Sequence, residues 1–366
     1  MRIAIAQINS TIGDFPGNRE KILAFSRRAA ERGAELVLFP ELAVCGYPPM
    51  DLLDQDRFVE LNIGTVHVLQ RELPQNLAVG LGFVNRSPYP RGKSLVNEYA
   101  VLLGGKIAFE QVKTLLPTYD VFDEARNFEP GRAWDAFEFR GERIGFAVCE
   151  DVWRETDIPG TSYERDPVRE LLKAGVSILC VPSASPYVAG KLKVRRALAE
   201  RIAARGGIPL VYINAVGAND QILFDGRSFV TLPAGQGALN PAASGAVISG
   251  PAISAAAVPG PAALNPLPAV ARAFEEDLLT WDSKGAAAVF VAASAPTAPT
   301  NAAAPPNAAP SHPDDRGDDP YNVGLSLYEL DILEEGLVMG IRDYMKKCGF
   351  VRAHLGLSGG IDSALV

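Results

Sequence analysis

Histidine is nearly absent from this chain. Its 366 residues include three, His67, His312 and His354. Any mechanism built on a histidine base must draw on one of them. His67 sits in FVELNIGTVHVLQREL, an amphipathic stretch that predicts a helix. His312 falls in a low-complexity segment and His354 in the last apolar run. None has a catalytic neighbourhood, so each reads as a surface or linker histidine. Cysteine is also scarce. Cys45, Cys149, Cys180 and Cys348 are widely spaced and contain no CxxC pair. Neither a disulfide framework nor a zinc site is indicated, which points to a reducing, cytoplasmic compartment. No apolar run is long enough to span a bilayer. Met1-Arg2 leads straight into IAIAQI, which alternates like a strand and not like a signal peptide. Positive charge is not in excess: 35 Lys and Arg stand against 43 Asp and Glu, a net charge of -8. This balance disfavours nucleic acid or anionic membrane as partners.

What is present is an ordinary globular composition, with 48% hydrophobic and 21% charged residues. The length suggests two domains, or one large one plus a piece. Through residue 232, short strand-like runs alternate with amphipathic ones. Strands are predicted at 2–9, 35–40, 76–84, 99–103, 106–110, 143–149, 176–181 and 210–216. Helices are predicted at 17–32, 54–72, 166–174 and 191–205. Gly104-Gly105 reads as a two-residue hairpin turn. Strands separated by helices indicate an α/β layered domain, and the hairpin makes its sheet mixed.

Composition then changes. No charged residue occurs from Ser228 to Ala271, and residues 233–270 are mostly Ala, Pro and Gly. Such segments bury too little apolar area to offset chain entropy, so 233–270 reads as an insertion within a first domain at 1–284. A second uncharged Ala/Pro stretch and the acidic DDRGDD form an interdomain linker at 285–319. Residues 320–366 then open a second domain, with apolar residues at helical spacing over 325–344.

Three residues follow apolar strand runs directly. Glu41 comes after LVLFP, where partial desolvation makes a carboxylate a better proton acceptor, although a capping or salt-bridging role is the common alternative. Lys113 follows another run and, alone, reads as a solvated lysine. Cys149 ends ERIGFAVC. A lone cysteine is usually structural, but at a strand-to-loop corner it can be a nucleophile with the next N–H facing an oxyanion. Together they solve one problem. A thiol needs a base or a cation to become a thiolate, and histidine is not on hand. Glu41 can take the thiol proton, and Lys113 with the Glu150 N–H can stabilise an oxyanion.

FPELAVCGYPP, KTLLPTYDVFDEARNF and CEDVW resemble the nitrilase superfamily, in the form found at the N-terminus of glutamine-dependent NAD(+) synthetases. The likeness covers about residues 1–282. LGLSGGIDS resembles the loop that opens the ATP-pyrophosphatase domain of the same enzymes. The resemblance implies an α/β fold: a nitrilase-like αββα sandwich with mixed sheets, then a linker and an incomplete, adenine nucleotide alpha hydrolase-like α/β domain. It implies a Glu41–Lys113–Cys149 site, with Glu124 as an auxiliary glutamate orienting Lys113. Tyr119, Ser185, Lys191 and Tyr47 match glutamine-binding positions. The segment between Cys149 and Ser185 is longer than the family pattern. The implied chemistry is glutamine hydrolysis through a glutamyl thioester, which needs no cofactor or metal. The ammonia would serve ATP- and Mg²⁺-dependent amidation of deamido-NAD to NAD. A homo-oligomer is implied as well. The alternative is a free-standing amidohydrolase acting on a small amide or N-carbamoyl compound, which the tail argues against.

Gly356, Leu357, Ser358, Gly359, Gly360, Ile361, Asp362 and Ser363 match the ATP loop, a small-residue turn whose N–H groups can face phosphate. The run 351–357 predicts a strand before it, and a helix is expected after Ser363. Three residues cannot nucleate that helix. The chain is therefore expected to be a fragment with an intact glutaminase site and no competent ATP site. The helix at 325–344 is expected to lack packing partners.

Overall fold

The computed structural model describes residues 1–155, 163–233, 270–284, 326–356 and 358–360. Residues 234–269 of the expected insertion, the linker, Leu357 and the segment 361–366 lie outside the described residues. Two sheets stack face to face, each with helices on its outer side. In the first, β1 (Arg2–Gln7), β2 (Leu36–Leu38) and β3 (Ala78–Arg86) run parallel. β4 (Leu95–Leu103) and β5 (Lys106–Val112) continue antiparallel from β3, and β13 (Asp277–Asp282) pairs antiparallel with β1. In the second, β7 (Glu142–Phe146), β8 (Ile178–Ser183) and β9 (Leu210–Asn214) run parallel. They are flanked by antiparallel β6 (Phe137–Phe139) and β12 (Phe229–Thr231).

The layering follows from alternation along the strands. In β1, Ile3 and Ile5 enter the space between the sheets, while Ala4 and Ala6 face the helices. In β9, Val211 and Ile213 face the first sheet, while Leu210 and Tyr212 face the outer helices. Helices α1 (Phe15–Glu31) and α2 (Asp56–Glu72) cover the first sheet. α4 (Pro167–Lys173) and α5 (Lys191–Gly206) cover the second. The result is a four-layer αββα sandwich. Asp14 starts α1 by accepting the Gly17 N–H, and Asp166 starts α4 by accepting that of Arg169. Each cap is worth about 1 kcal/mol. The Gly104-Gly105 turn is present, both residues at positive φ.

Several elements escaped the sequence reading: β6, the one-turn α3 (Glu124–Asn127), β12, and the hairpin of β10 (Val216–Asn219) with β11 (Ile222–Asp225). β4 also begins four residues earlier than expected.

The last helix, α6 (Leu327–Lys347), has a full capping box between Ser326 and Glu329. The expectation that it would lack packing partners fails on one face. Ile332 and Met339 are buried with Val216, Ala218 and Phe274. Gly336 and Gly340 bring the helix close to Phe274 and Leu223. The opposite face leaves Leu337, Ile341 and Tyr344 exposed. Residues 351–356 form no strand and are exposed, because no described strand lies beside them to pair. That corrects the strand expected there. Gly356, Ser358, Gly359 and Gly360 are likewise exposed, while Leu357, Ile361, Asp362 and Ser363 lie outside the described residues. His67 is exposed on α2, and His354 is exposed beyond α6. No described helix is long and apolar enough to cross a membrane.

Candidate active site

The strand ends of both sheets meet at one edge of the sandwich. Glu41 follows β2, where Gly82 of β3 passes directly beneath it. A Cβ at Gly82 would lie 2.3 Å from the Leu42 nitrogen and 2.9 Å from Glu41 Cα, so only glycine permits this approach. Lys113 follows β5 and is tied by its backbone N–H to the Asn97 carbonyl of β4, at 2.9 Å. Cys149 lies three residues past β7. It adopts a left-handed conformation, φ 45°, and opens the 3-10 segment Cys149–Glu155. Such a corner is strained for a side chain other than glycine.

Asp151 holds that corner. Its Oδ1 accepts the N–H groups of Thr114 (3.0 Å) and Leu115 (2.7 Å), and its Oδ2 accepts that of Val148 (3.0 Å). One buried carboxylate thus joins the segment after Lys113 to the segment before Cys149. Burial pushes its pKa up to about 7, against the pull of these N–H groups and of Lys113.

Lys113 has no solvent exposure. Its Nζ donates to Glu41 Oε1 at 2.7 Å and to both Glu124 oxygens at 2.7 and 2.8 Å. Burial alone would lower its pKa, but Glu124 and Glu41 overcome this and hold the ammonium well above the usual lysine range. Burial pushes Glu124 up to about 7, with Lys113 pulling it down and Glu41 adding to the rise. Tyr47 donates to Glu124 Oε1 at 2.8 Å. Glu41 is completed by Asn97 Nδ2 on Oε1 (2.8 Å) and the Ala184 N–H on Oε2 (3.1 Å). Oε1 therefore carries two donors and Oε2 one, which leaves Oε2 the freer lone pair for a proton.

The Cys149 sulfur is within charge range of Glu41 and Lys113, and the residue is 8% exposed. Burial first, then Glu41, drives the thiol pKa well above its ordinary value, with Lys113 opposing. A buried sulfur beside a glutamate is an arrangement suited to proton transfer on attack.

Cys149 lines a cavity of about 460 Å³ with Tyr119, Glu150, Trp153, Ser185 and Lys191. Glu150 accepts from Tyr119 OH at 3.0 Å and from Tyr163 OH at 2.9 Å. Its pKa is raised, chiefly by burial. Lys191 opens α5, its Nζ 5.7 Å from the centre of the Trp153 ring. Burial and Arg195 lower its pKa. Asn214 grips Ser185 by accepting its N–H (2.9 Å) and donating to its carbonyl (3.3 Å).

Of the residues singled out from sequence, Glu41, Lys113, Glu124 and Tyr47 form one buried cluster beside Cys149. Tyr119, Ser185 and Lys191 stand with Cys149 around the cavity. Tyr47 stands behind Glu124 instead. Sequence reasoning missed Asn97, Asp151, Tyr163, Asn214 and the Glu150 side chain. Asn97 carried a signal, a polar residue inside the apolar run LVNEYAVLL.

An αββα sandwich with a buried glutamate, lysine and cysteine at its strand ends belongs to the class of carbon–nitrogen hydrolases. The carbon-nitrogen hydrolase family model matches residues 2–248, and the chain belongs to that family. Among curated relatives it is similar to the glutamine-dependent NAD(+) synthetase of Synechocystis sp., 36% identical across 100% of this chain and 56% of the relative. The synthetase of Rhodobacter capsulatus is 34% identical, over 100% of this chain and 53% of the relative. The chain thus spans about half the length of the curated relatives it matches. A solved glutamine-dependent NAD+ synthetase from Acinetobacter baumannii, in complex with ADP, matches with TM-score 0.72 and 29% identity over 99% of this chain and 55% of that one. An amidase from Nesterenkonia sp. AN1, carrying an acetamide adduct at its active-site cysteine, matches with TM-score 0.54 and 26% identity over 64% of this chain and 84% of that one. The fold is therefore nitrilase-like.

Proposed function

We propose that this chain carries the glutaminase of a glutamine-dependent NAD(+) synthetase. The observation that supports it best is the pairing of Cys149 on the cavity wall with the fully buried Glu41–Lys113 ion pair beside it. Glutamine would be held by charge at both ends of its amino-acid group. Glu150, with Tyr119, would receive the α-ammonium, and Lys191, with Ser185, the α-carboxylate. A cavity with one anion and one cation suits a zwitterion.

Cys149 Sγ attacks the side-chain carboxamide carbon while Glu41 takes the thiol proton. Lys113 and the Glu150 N–H stabilise the tetrahedral oxyanion. The C–N bond breaks as Glu41 returns the proton to nitrogen, releasing ammonia and leaving a thioester. Water then attacks the thioester carbonyl. Glu41 takes the proton from water and gives it to the departing sulfur, and glutamate is released.

The ammonia would amidate deamido-NAD in an ATP- and Mg²⁺-dependent step of the whole enzyme. The described part of the SGGIDS loop, residues 358–360, is exposed. A cytoplasmic, homo-oligomeric enzyme belongs to the same proposal. All four cysteines are free thiols, which suits a reducing compartment.

The second reading is a free-standing amidohydrolase, favoured only by the amidase likeness. Incubating the chain with L-glutamine and with propionamide separates the two. Release of glutamate and ammonia, abolished in Cys149→Ala, is expected. Turnover of propionamide but not glutamine would overturn the first reading.

A further inference from the structure

Asn97 is fully buried in β4, yet it satisfies only half of its side chain. Its Nδ2 donates to Glu41 Oε1 at 2.8 Å, while its Oδ1 has no hydrogen-bond partner among the described residues. Turning the amide would set an oxygen against a carboxylate, so chemistry fixes which end faces Glu41. An orphaned buried carbonyl costs free energy that a leucine of similar volume would not. Folding alone therefore gives no reason for an asparagine here. The return must come from what Nδ2 does.

We infer that Asn97 is a positioning residue for the base Glu41, dividing its two oxygens into a saturated one and a reactive one. With Lys113 and Asn97 both on Oε1, that oxygen has little capacity for another proton. Oε2 keeps one donor, the Ala184 N–H, and so retains the lone pair that can receive the thiol proton. Asn97 also fixes the cation, since its backbone carbonyl accepts the Lys113 N–H at 2.9 Å. One residue of β4 thus sets the relative placement of base and ammonium. A donor on a carboxylate favours its ionised form, and Asn97→Leu takes that donor away.

This inference rests on the glutaminase reading for its turnover assay but not for its second assay. In Asn97→Leu, kcat for glutamine should fall roughly 10–100-fold with KM within about twofold. The acid limb of the pH–rate profile should move to higher pH. The second assay follows alkylation of Cys149 by iodoacetamide against pH, read on the Cys149 peptide by mass spectrometry because exposed Cys348 also reacts. Its acid limb should move the same way. If Asn97→Leu does not fold, Asn97→Asp has nearly the same size and replaces the donor with an acceptor. It should move both limbs further. An unchanged kcat per alkylatable Cys149, or a lower kcat with both limbs unmoved, overturns the inference. A wild-type chain that ignores glutamine, with an alkylation limb that still moves in Asn97→Leu, sinks the glutaminase reading and leaves Asn97 in its role.

Discussion

Lys113 Nζ lies 2.7 Å from Glu41 Oε1, and neither side chain meets solvent. A buried cation held by two carboxylates is expensive to break from one side. Lys113→Met should lower kcat by about 10²–10³ through loss of the oxyanion partner. It should also cost about 3–5 kcal/mol in stability, because Glu41 and Glu124 remain as unpaired buried charges. Adding Glu124→Gln should restore part of the stability and none of the activity. Urea unfolding and glutamate release measured on both variants check this. Additive stability losses would mean the carboxylates do not depend on Lys113.

Stability and activity should move in opposite directions with pH. Glu124 and Asp151 are both pushed up to about 7, chiefly by burial. In the ordinary carboxylate range the folded state therefore holds more protons than the unfolded one. Their contribution to stability is present at low pH and is lost as pH rises to about 7. On the proposed mechanism the cluster acts in its ionised form, so activity should rise over the same window. The melting temperature should fall by about 2–4 °C or more between pH 5.5 and 8, since each kcal/mol lost is worth that much in a domain of this size. Asp151→Asn should flatten that slope. A melting temperature that rises across this range contradicts the assignment.

How much of this was readable beforehand depended on whether a residue's role was local. Glu41, Lys113 and Cys149 each follow an apolar run, and a strand end is a local feature. Asn97 and Glu98 interrupt the apolar pattern of β4, so the apolar run reads as beginning at Tyr99 and leaves Asn97 outside it. Asp151 acts through backbone N–H groups 36 and 37 positions away, on a different sheet. No local pattern encodes that. The β6–β7 and β10–β11 turns place Arg140-Gly141 and Asp220 at positive φ. Neither uses the Asn-Gly or Gly-Gly pair that marks such hairpins. The docking of α6 depends on Gly336 and Gly340 meeting Phe274 and Leu223, contacts that exist only once β10 and β11 have folded.

Lys191 should govern recognition and not chemistry. It lines the cavity with Cys149, and the nearest opposite charge in the cavity wall is Glu150. Lys191→Met should raise KM for glutamine about 10–100-fold, the equivalent of one charge-assisted hydrogen bond, with kcat within about threefold. Turnover of an uncharged amide, however slow, should not change. An equal loss on both substrates would place Lys191 in the chemical step.

The junction between α6 and the sandwich rests on Lys347. Its Nζ donates to Asn9 Oδ1 (2.7 Å), the Ala218 carbonyl (2.8 Å) and Asn219 Oδ1 (2.8 Å), and lies 3.3 Å from Asp343. Asp343 in turn accepts from Asn9 Nδ2 at 2.7 Å and the Ala218 N–H at 2.8 Å. The apolar part of the contact is small, essentially Ile332 and Met339 against Val216, Ala218 and Phe274. Such a contact is poorly placed to absorb the loss of a half-buried donor that ties three acceptors of the sandwich to the helix. Lys347→Met should therefore release the helix before it disturbs the sheets. Amide exchange should accelerate across 327–347 and along β10, while β1 and β8 keep their protection. Equal acceleration in all four elements would mean that α6 unfolds only together with the sandwich.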